Sequence, residues 1–380
     1  MLQPVTLGLL AAFVGFSSSF AVVLAGFAAM GATPAQAASG LVVLCLLMGG
    51  LGLAFSVWWR MPISIAWSTP GAALLAGSAM PEGGFPAAVG AFLVASALVV
   101  VAGLWRPFAQ AVERIPAPLA AAMLAGVLLD LCLAPVRAVG AIPWLALPVV
   151  LAWAVMLRLN RLWAVPVAVL VAVAVLLLGP GLPGASGFTP PVLEFVAPRL
   201  EWGTLAGIAL PLFLVTMASQ NLPGLAVLHA NGYRPGVRPI FVATGLGSFA
   251  GGFAGGQLVN LAAITAALCA GPESHPDPRR RWVAGAVASA GYLGFAVLSG
   301  MAAVIVAAAP PLLIQAVAGL ALLGSLAGAL ATALERESAR VPAITTFVVS
   351  ASGLTVGGVG AAFWGLVAGG ALWWLLRPRD

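Results

Sequence analysis

Residues 210–224 read LPLFLVTMASQNLPG. Residues 207–215 form an apolar run of membrane grade, and 225–228 resume it. Between the two lie Thr216, Ser219, Gln220 and Asn221, followed by Pro223-Gly224. Polar amides inside hydrocarbon must find partners, and a broken helix is tolerated there only beside protein or a cavity. The stretch therefore reads either as a ligand site at membrane depth with a helix break at Pro-Gly, or as glue between packed helices, a role Ser, Thr, Asn and Gln also play. Three consecutive polar residues ahead of Pro-Gly favour the site.

Composition supports the membrane setting. Hydrophobic residues make up 62% of the 380 positions, charged residues only 7%, and the mean hydropathy is +1.12, values that exclude an ordinary soluble domain. The net charge of +6 comes from Arg, with no Lys. These Arg sit singly or in short clusters between apolar runs, which suits topology signals and not a nucleic-acid surface. Cys45, Cys132 and Cys269 are scattered, and His229 and His275 have no partner at ligand spacing, so neither a disulfide framework nor a metal or other cofactor is expected. The N-terminus, MLQPVTLGLL, lacks a basic n-region, so Leu7 onward reads as a first span and not a removed signal.

Apolar runs fall at 7–31, 38–58, 61–79, 86–105, 116–134, 141–158 and 162–180, then at 204–230, 238–254, 255–271, 282–308, 311–334, 341–353 and 357–376. With both termini cytoplasmic, the inner side holds Arg60, Arg106, Arg114, Arg158, Arg161, Arg234, Arg238, Arg279, Arg280, Arg281, Arg336, Arg340, Arg377 and Arg379. Only Arg137 and Arg199 are left outside, so every loop obeys the positive-inside rule. The halves also match weakly in order: Ser18, Leu24, Gly31 and Pro34 with Ser219, Leu225, Gly232 and Pro235; Ala72-Ala73-Leu74 with Ala266-Ala267-Leu268; Pro118-Leu119 with Pro311-Leu312. Seven segments per half make the repeat inverted, the signature of secondary transporters. The expected fold is thus an all-α polytopic membrane protein of fourteen segments in a 7+7 inverted repeat.

Segments 3 and 10 are expected to contain half-helices. In 61–77, MPISIAWSTPGAALLAG, Pro62, Ile63 and Ile65 favour extended backbone, Thr69 suits an N-cap, and Pro70 a helix start. A full kinked helix is the alternative. In segment 10, Gly251-Gly252, Gly255-Gly256 and Gln257 argue against a regular helix, and Asn260 suits a cap for 261–270. Two helix N-termini would then face one midplane point, a ready anion site. A buried carboxylate costs several kcal/mol. Each terminus returns up to about 2 kcal/mol and each bond to the charge about 1.5–3 kcal/mol, so a carboxylate can be held without Arg.

On the stretches 60–77, 210–228 and 260–278 the chain resembles the benzoate:proton symporter (BenE) family, over essentially its whole length. More distantly it is similar to uracil and xanthine permeases and sulfate-type anion carriers. The resemblance implies proton-coupled import of benzoate or a related aromatic carboxylate across a bacterial inner membrane by an elevator-like movement. It implies a core at 1–110 and 201–309, a gate at 111–200 and 310–380, and a homodimer through the gate. Substrate would sit at Ser18, Ser19, Trp67, Ser68, Thr69, Gln220, Asn221 and Asn260, with Trp67, Phe16 and Phe20 either facing its ring or only packing. Uracil-type permeases carry acidic residues in segments 8 and 10, where this chain has Ser219, Gln220, Asn221 and Asn260, so no proton carrier is identified. Asp130 reads as a boundary residue paired with Arg137, and His229 as a helix-end residue. An uncoupled anion channel or facilitator on the same fold is the alternative function. An intramembrane enzyme lacks support, because Ser219 and His229 stand about 15 Å apart along one helix.

Overall fold

A computed structural model describes residues 2–105, 107, 116–178, 192–357 and 359–376. The expected domain boundary at 110/111, Arg106, Arg114, Arg377, Arg379 and the loop at Thr189 lie outside the described residues. The described chain is mostly helical, and eight of its helices are long and apolar enough to cross a membrane.

It opens with α1 (Leu2–Ser17), α2 (Phe20–Ala29) and α3 (Pro34–Trp59). Strand β1 (Ile65–Trp67) leads into the short helix α4 (Thr69–Ala76), followed by α5 (Gly84–Leu104). Then come α6 (Ala117–Ala141), α7 (Pro143–Leu159) and α8 (Ala164–Leu178). The second half runs α9 (Trp202–Ala230), α10 (Val237–Gly252), β2 (Val259–Leu261), α11 (Ala263–Ala270) and α12 (Trp282–Ala308). It closes with α13 (Pro311–Leu334), α14 (Arg340–Ala351) and α15 (Ala361–Leu375). Packing partners recur between the halves. Helix α3 packs on α12 as α10 packs on α5, and α2 meets α4 as the end of α9 meets α11. Corresponding elements also meet each other: α6 packs on α13, and β1 pairs with β2.

The β pair positions everything else. Pro62 has no amide hydrogen and Ile63 and Ile65 are β-branched, so the chain after α3 runs extended, and the kinked-helix alternative is excluded. The strands are antiparallel, with Ile65 opposite Leu261, Ala66 opposite Asn260 and Trp67 opposite Val259. Two strands amid apolar helices leave edge groups that no water reaches, so side chains must complete the ladder. Asn221 Oδ1 accepts from Leu261 N at 3.0 Å, and Ser248 Oγ accepts from Val259 N at 2.9 Å. Gln257 Nε2 donates to Ser68 O at 2.9 Å. Gly224 lets α9 come this close: a Cβ there would stand 2.8 Å from Leu261 Cβ.

Three local expectations need correction. The cap of α4 is Ser68, whose Oγ accepts from Gly71 N at 3.1 Å; Thr69 lies inside the first turn. Asn260 caps nothing: it sits mid-strand opposite Ala66, and the cap position of α11 falls to Ala262. Finally, Pro223-Gly224 does not break the helix, which runs unbroken across Trp202–Ala230. A π-helical turn at Met217–Asn221 shifts the hydrogen-bond register just before Pro223 and accommodates its missing amide. The interruption occurs instead at Ser18-Ser19, between α1 and α2.

The main apolar cluster holds Phe27, Trp67, Phe85, Phe92 and Phe213, and a second one joins α7, α8 and α13 through Val149, Ala168, Leu313 and Val317. Asp130 pairs with Arg137 at 2.7 Å with both side chains exposed, and His229 lies in the last turn of its helix.

Candidate functional site

Where the α1–α2 break, the start of α4 and the start of α11 converge, a cavity of about 220 Å³ opens. Five of the expected residues line it: Ser18, Ser19, Trp67, Thr69 and Gln220. The other three do not. Ser68 caps α4 and shares a 2.7 Å bond with the Thr216 hydroxyl. Asn221 is fully buried on the β2 edge, and its Nδ2 lies 3.2 Å from Met217 Sδ. Asn260, with its amide oxygen toward Ser68 N (3.2 Å) and its nitrogen toward Leu261 O (2.9 Å), ties strand to strand. The polar island around 219–221 thus divides residue by residue, Gln220 facing the cavity and Asn221 the scaffold.

One wall is aromatic. Trp67 Nε1 donates to Ser19 Oγ at 2.9 Å, and Ser19 in turn donates to Gly15 O at 2.9 Å, so the indole is held in place. Phe16 packs on Trp67 at 5.6 Å between centroids and stacks on Phe20 at 5.3 Å and Phe295 at 4.5 Å. The partners of Trp67 named here therefore come from the region of the α1–α2 break.

The first turn of α11 also lines the cavity, with Ala263, Ile264 and Thr265 on it. No side chain caps this terminus, unlike that of α4. The first amides of a helix have no intrahelical acceptor and carry the positive end of its dipole. At the other end Arg281, itself buried, donates from Nη1 to Ala270 O at 2.8 Å and from Nε to His275 O at 2.7 Å. The negative end of α11 is thus neutralised while its positive end is left open. Outside the helices, Tyr233 donates to Pro278 O at 2.7 Å and pins the loop that carries Arg281. Burial raises the Tyr233 hydroxyl above its ordinary pKa, with nearby Arg281 opposing.

Among the lining residues that were not anticipated, three carry hydrogen-bonding groups of particular interest. Arg161, exposed at the end of the α7–α8 connection, is the one cationic residue among the described lining, which contains no carboxylate. In sequence it looks like a topology mark. Thr265 and Tyr292 also line the cavity. Tyr292 had a signal: it is one of 2 tyrosines in the chain and lies in an otherwise apolar run. Together these groups can receive an anion at α11 and a flat apolar body against Trp67. No group of three metal-ligating side chains occurs among the described residues.

The family model described as benzoate membrane transport protein (BenE) matches residues 2–375. The chain belongs to this family. Its members are membrane transporters, not enzymes. Among BenE relatives, the inner membrane protein YdcO of Escherichia coli (strain K12) is 39% identical over 99% of this chain and 97% of its own length. The benzoate membrane transport protein of Acinetobacter baylyi is 32% identical over 86% of this chain and 84% of its own. The fold is shared more widely. The transmembrane domain of the cyanobacterial bicarbonate transporter BicA aligns with a TM-score of 0.60 at 13% identity, covering 97% of this chain and 98% of its own. The murine Solute Carrier 26 family member A9 anion transporter, in its inward-facing state, aligns with a TM-score of 0.61 at 12% identity, over 97% and 68% of the two chains.

Proposed function

We propose that this chain is a secondary active transporter importing benzoate or a related aromatic carboxylate, with protons, across a bacterial inner membrane. The observation that carries the reading is an uncapped helix terminus and Trp67 lining one cavity, in a chain of the benzoate membrane transport family. A carboxylate at the α11 amides, bonded by Gln220 and Thr69, recovers several kcal/mol of its desolvation cost. Trp67, backed by Phe16, supplies the surface for a single ring.

Fourteen segments in a 7+7 inverted repeat accommodate the architecture: the eight long helices plus β1–α4, α7, α10, β2–α11, α14 and α15. Residues 1–110 and 201–309 form the core and 111–200 and 310–380 the gate. The cavity lies on their seam, with Trp67, Gln220 and Thr265 on the core side and Arg161, Ala321 and Ser325 on the gate side. Both termini are cytoplasmic in this reading, Arg161 marks the inner mouth, and the core moves past the gate to expose the site to the outside. Cysteines at Glu82 and Arg280 should label from outside and inside respectively; the reverse pattern refutes this topology.

One observation favours a facilitator as second reading: the described lining offers no carboxylate to carry a proton. Proteoliposome uptake of labelled benzoate decides between them. Coupled transport is driven by an inward proton gradient and accumulates substrate; a facilitator equilibrates it regardless. Absence of benzoate uptake in both conditions refutes both readings.

A further inference from the structure

We propose that the Tyr292 hydroxyl, with the Thr265 hydroxyl beside it, is the donor pair that recognises the substrate's carboxylate, making Tyr292 a specificity-determining residue. This rests on the transport reading above. Tyr292 comes from α12, outside the segments that the sequence pointed to. It lines the cavity and is 2% exposed, yet its Oη has no hydrogen-bond partner among the described residues. A buried hydroxyl left unbonded carries a standing free-energy cost, so its retention calls for an acceptor that arrives with a ligand.

Three features converge on that acceptor's position. The phenol faces Thr265, although the pair does not reach hydrogen-bond geometry. Thr265 is the third residue of α11, so its hydroxyl stands beside the uncapped amides of the first turn. The phenol reaches Thr265 because residue 15 is glycine: a Cβ there would collide with Tyr292 Oη and come within 3.4 Å of Thr265 Oγ1. An anionic oxygen arriving from the cavity at Thr265 meets the threonine hydroxyl, the phenol and the helix terminus together. Neutral donors suit this task, since hydrogen bonds to a charged acceptor are strong and no counter-charge must be buried. Trp67, on the same cavity and backed by Phe16, then holds the ring.

The test uses the full chain purified in detergent, with benzoate, salicylate and phenylacetate binding measured by calorimetry and ligand-free melting followed in parallel. Tyr292→Phe should weaken binding about tenfold or more. Its ligand-free melting temperature should stay unchanged or rise, because the deleted hydroxyl had no partner. Thr265→Val should cost less in the Tyr292→Phe background than alone, since both hydroxyls address one carboxylate. Gly15→Ala should weaken binding as well, by pushing the Tyr292 hydroxyl away from Thr265. Tyr292→Phe affinity within twofold of wild type overturns the inference alone. So does weaker binding accompanied by a matching loss of ligand-free stability, which makes the hydroxyl structural. A wild-type chain that binds none of the three acids refutes the transport reading and this inference with it.

Discussion

Adjacent residues Gln220 and Asn221 should fail in opposite ways when truncated. Asn221 is fully buried, and its Oδ1 accepts from Leu261 N at 3.0 Å on the outer edge of β2. In Asn221→Ala no water replaces that acceptor, so an amide is stranded at membrane depth. An unsatisfied buried donor costs about 1–3 kcal/mol, and the vacated volume adds to it. Asn221→Ala should therefore melt earlier in detergent, and the Leu261 amide should lose hydrogen-exchange protection. Gln220 lines the cavity and has no such duty. Gln220→Ala should melt like wild type but bind aromatic carboxylates more weakly. One hydrogen bond to a charged group, about 1.5–3 kcal/mol, corresponds to roughly 10- to 150-fold in affinity. The assay is differential scanning fluorimetry with exchange mass spectrometry, alongside calorimetric titration of benzoate. If Asn221→Ala keeps its stability while losing affinity, or Gln220→Ala loses stability with affinity intact, the division between scaffold and site is wrong.

Further outcomes follow from individual contacts. Trp67→Ala should penalise benzoate more than propionate in uptake competition, by roughly two- to tenfold, because it removes ring contact and leaves the α11 terminus; an equal loss for both acids would make Trp67 purely structural. Arg281→Ala strands the Ala270 and His275 carbonyls and should lower the melting temperature, and Arg281→Lys should not restore it, since a point charge cannot reproduce the planar fork. Asp130→Asn should change stability by less than about 1 kcal/mol, because its pair with Arg137 is exposed. The raised Tyr233 pKa means that the folded state holds this proton more tightly than the unfolded chain. Its contribution is complete below the ordinary tyrosine value of 10.0 and is lost as pH rises beyond it. Tyr233→Phe should therefore flatten that part of the alkaline stability loss in a pH-melting series.

Much of the architecture was legible before any coordinates. Apolar run lengths and the arginine spacing reflect the bilayer, a solvent that constrains each segment separately, so they can be read segment by segment. The extended backbone before α4 was legible for a similar reason: Pro62, Ile63 and Ile65 act through local sterics. What each polar side chain bonds is a different kind of fact. Asn221 and Gln220 are neighbours of similar chemistry, yet one faces β2 and the other the cavity, because the π turn at Met217–Asn221 sets the rotation of the helix there. Ser68, and not Thr69, caps α4 because the helix begins at Thr69 and leaves the Ser68 hydroxyl to accept from Gly71 N, and Asn260 could not cap α11 once pairing with Ala66 placed it mid-strand. Arg161 joined Thr265 and Tyr292 at one cavity only through the packing of segments more than a hundred residues apart. Sequence alone determined that this is a mostly helical membrane protein and that the backbone ahead of α4 runs extended, since those depend on hydration and local sterics. Tertiary packing decided which polar groups remained free to meet a ligand, because inside a membrane the buried backbone claims donors and acceptors first, and only the closed fold shows which are left over.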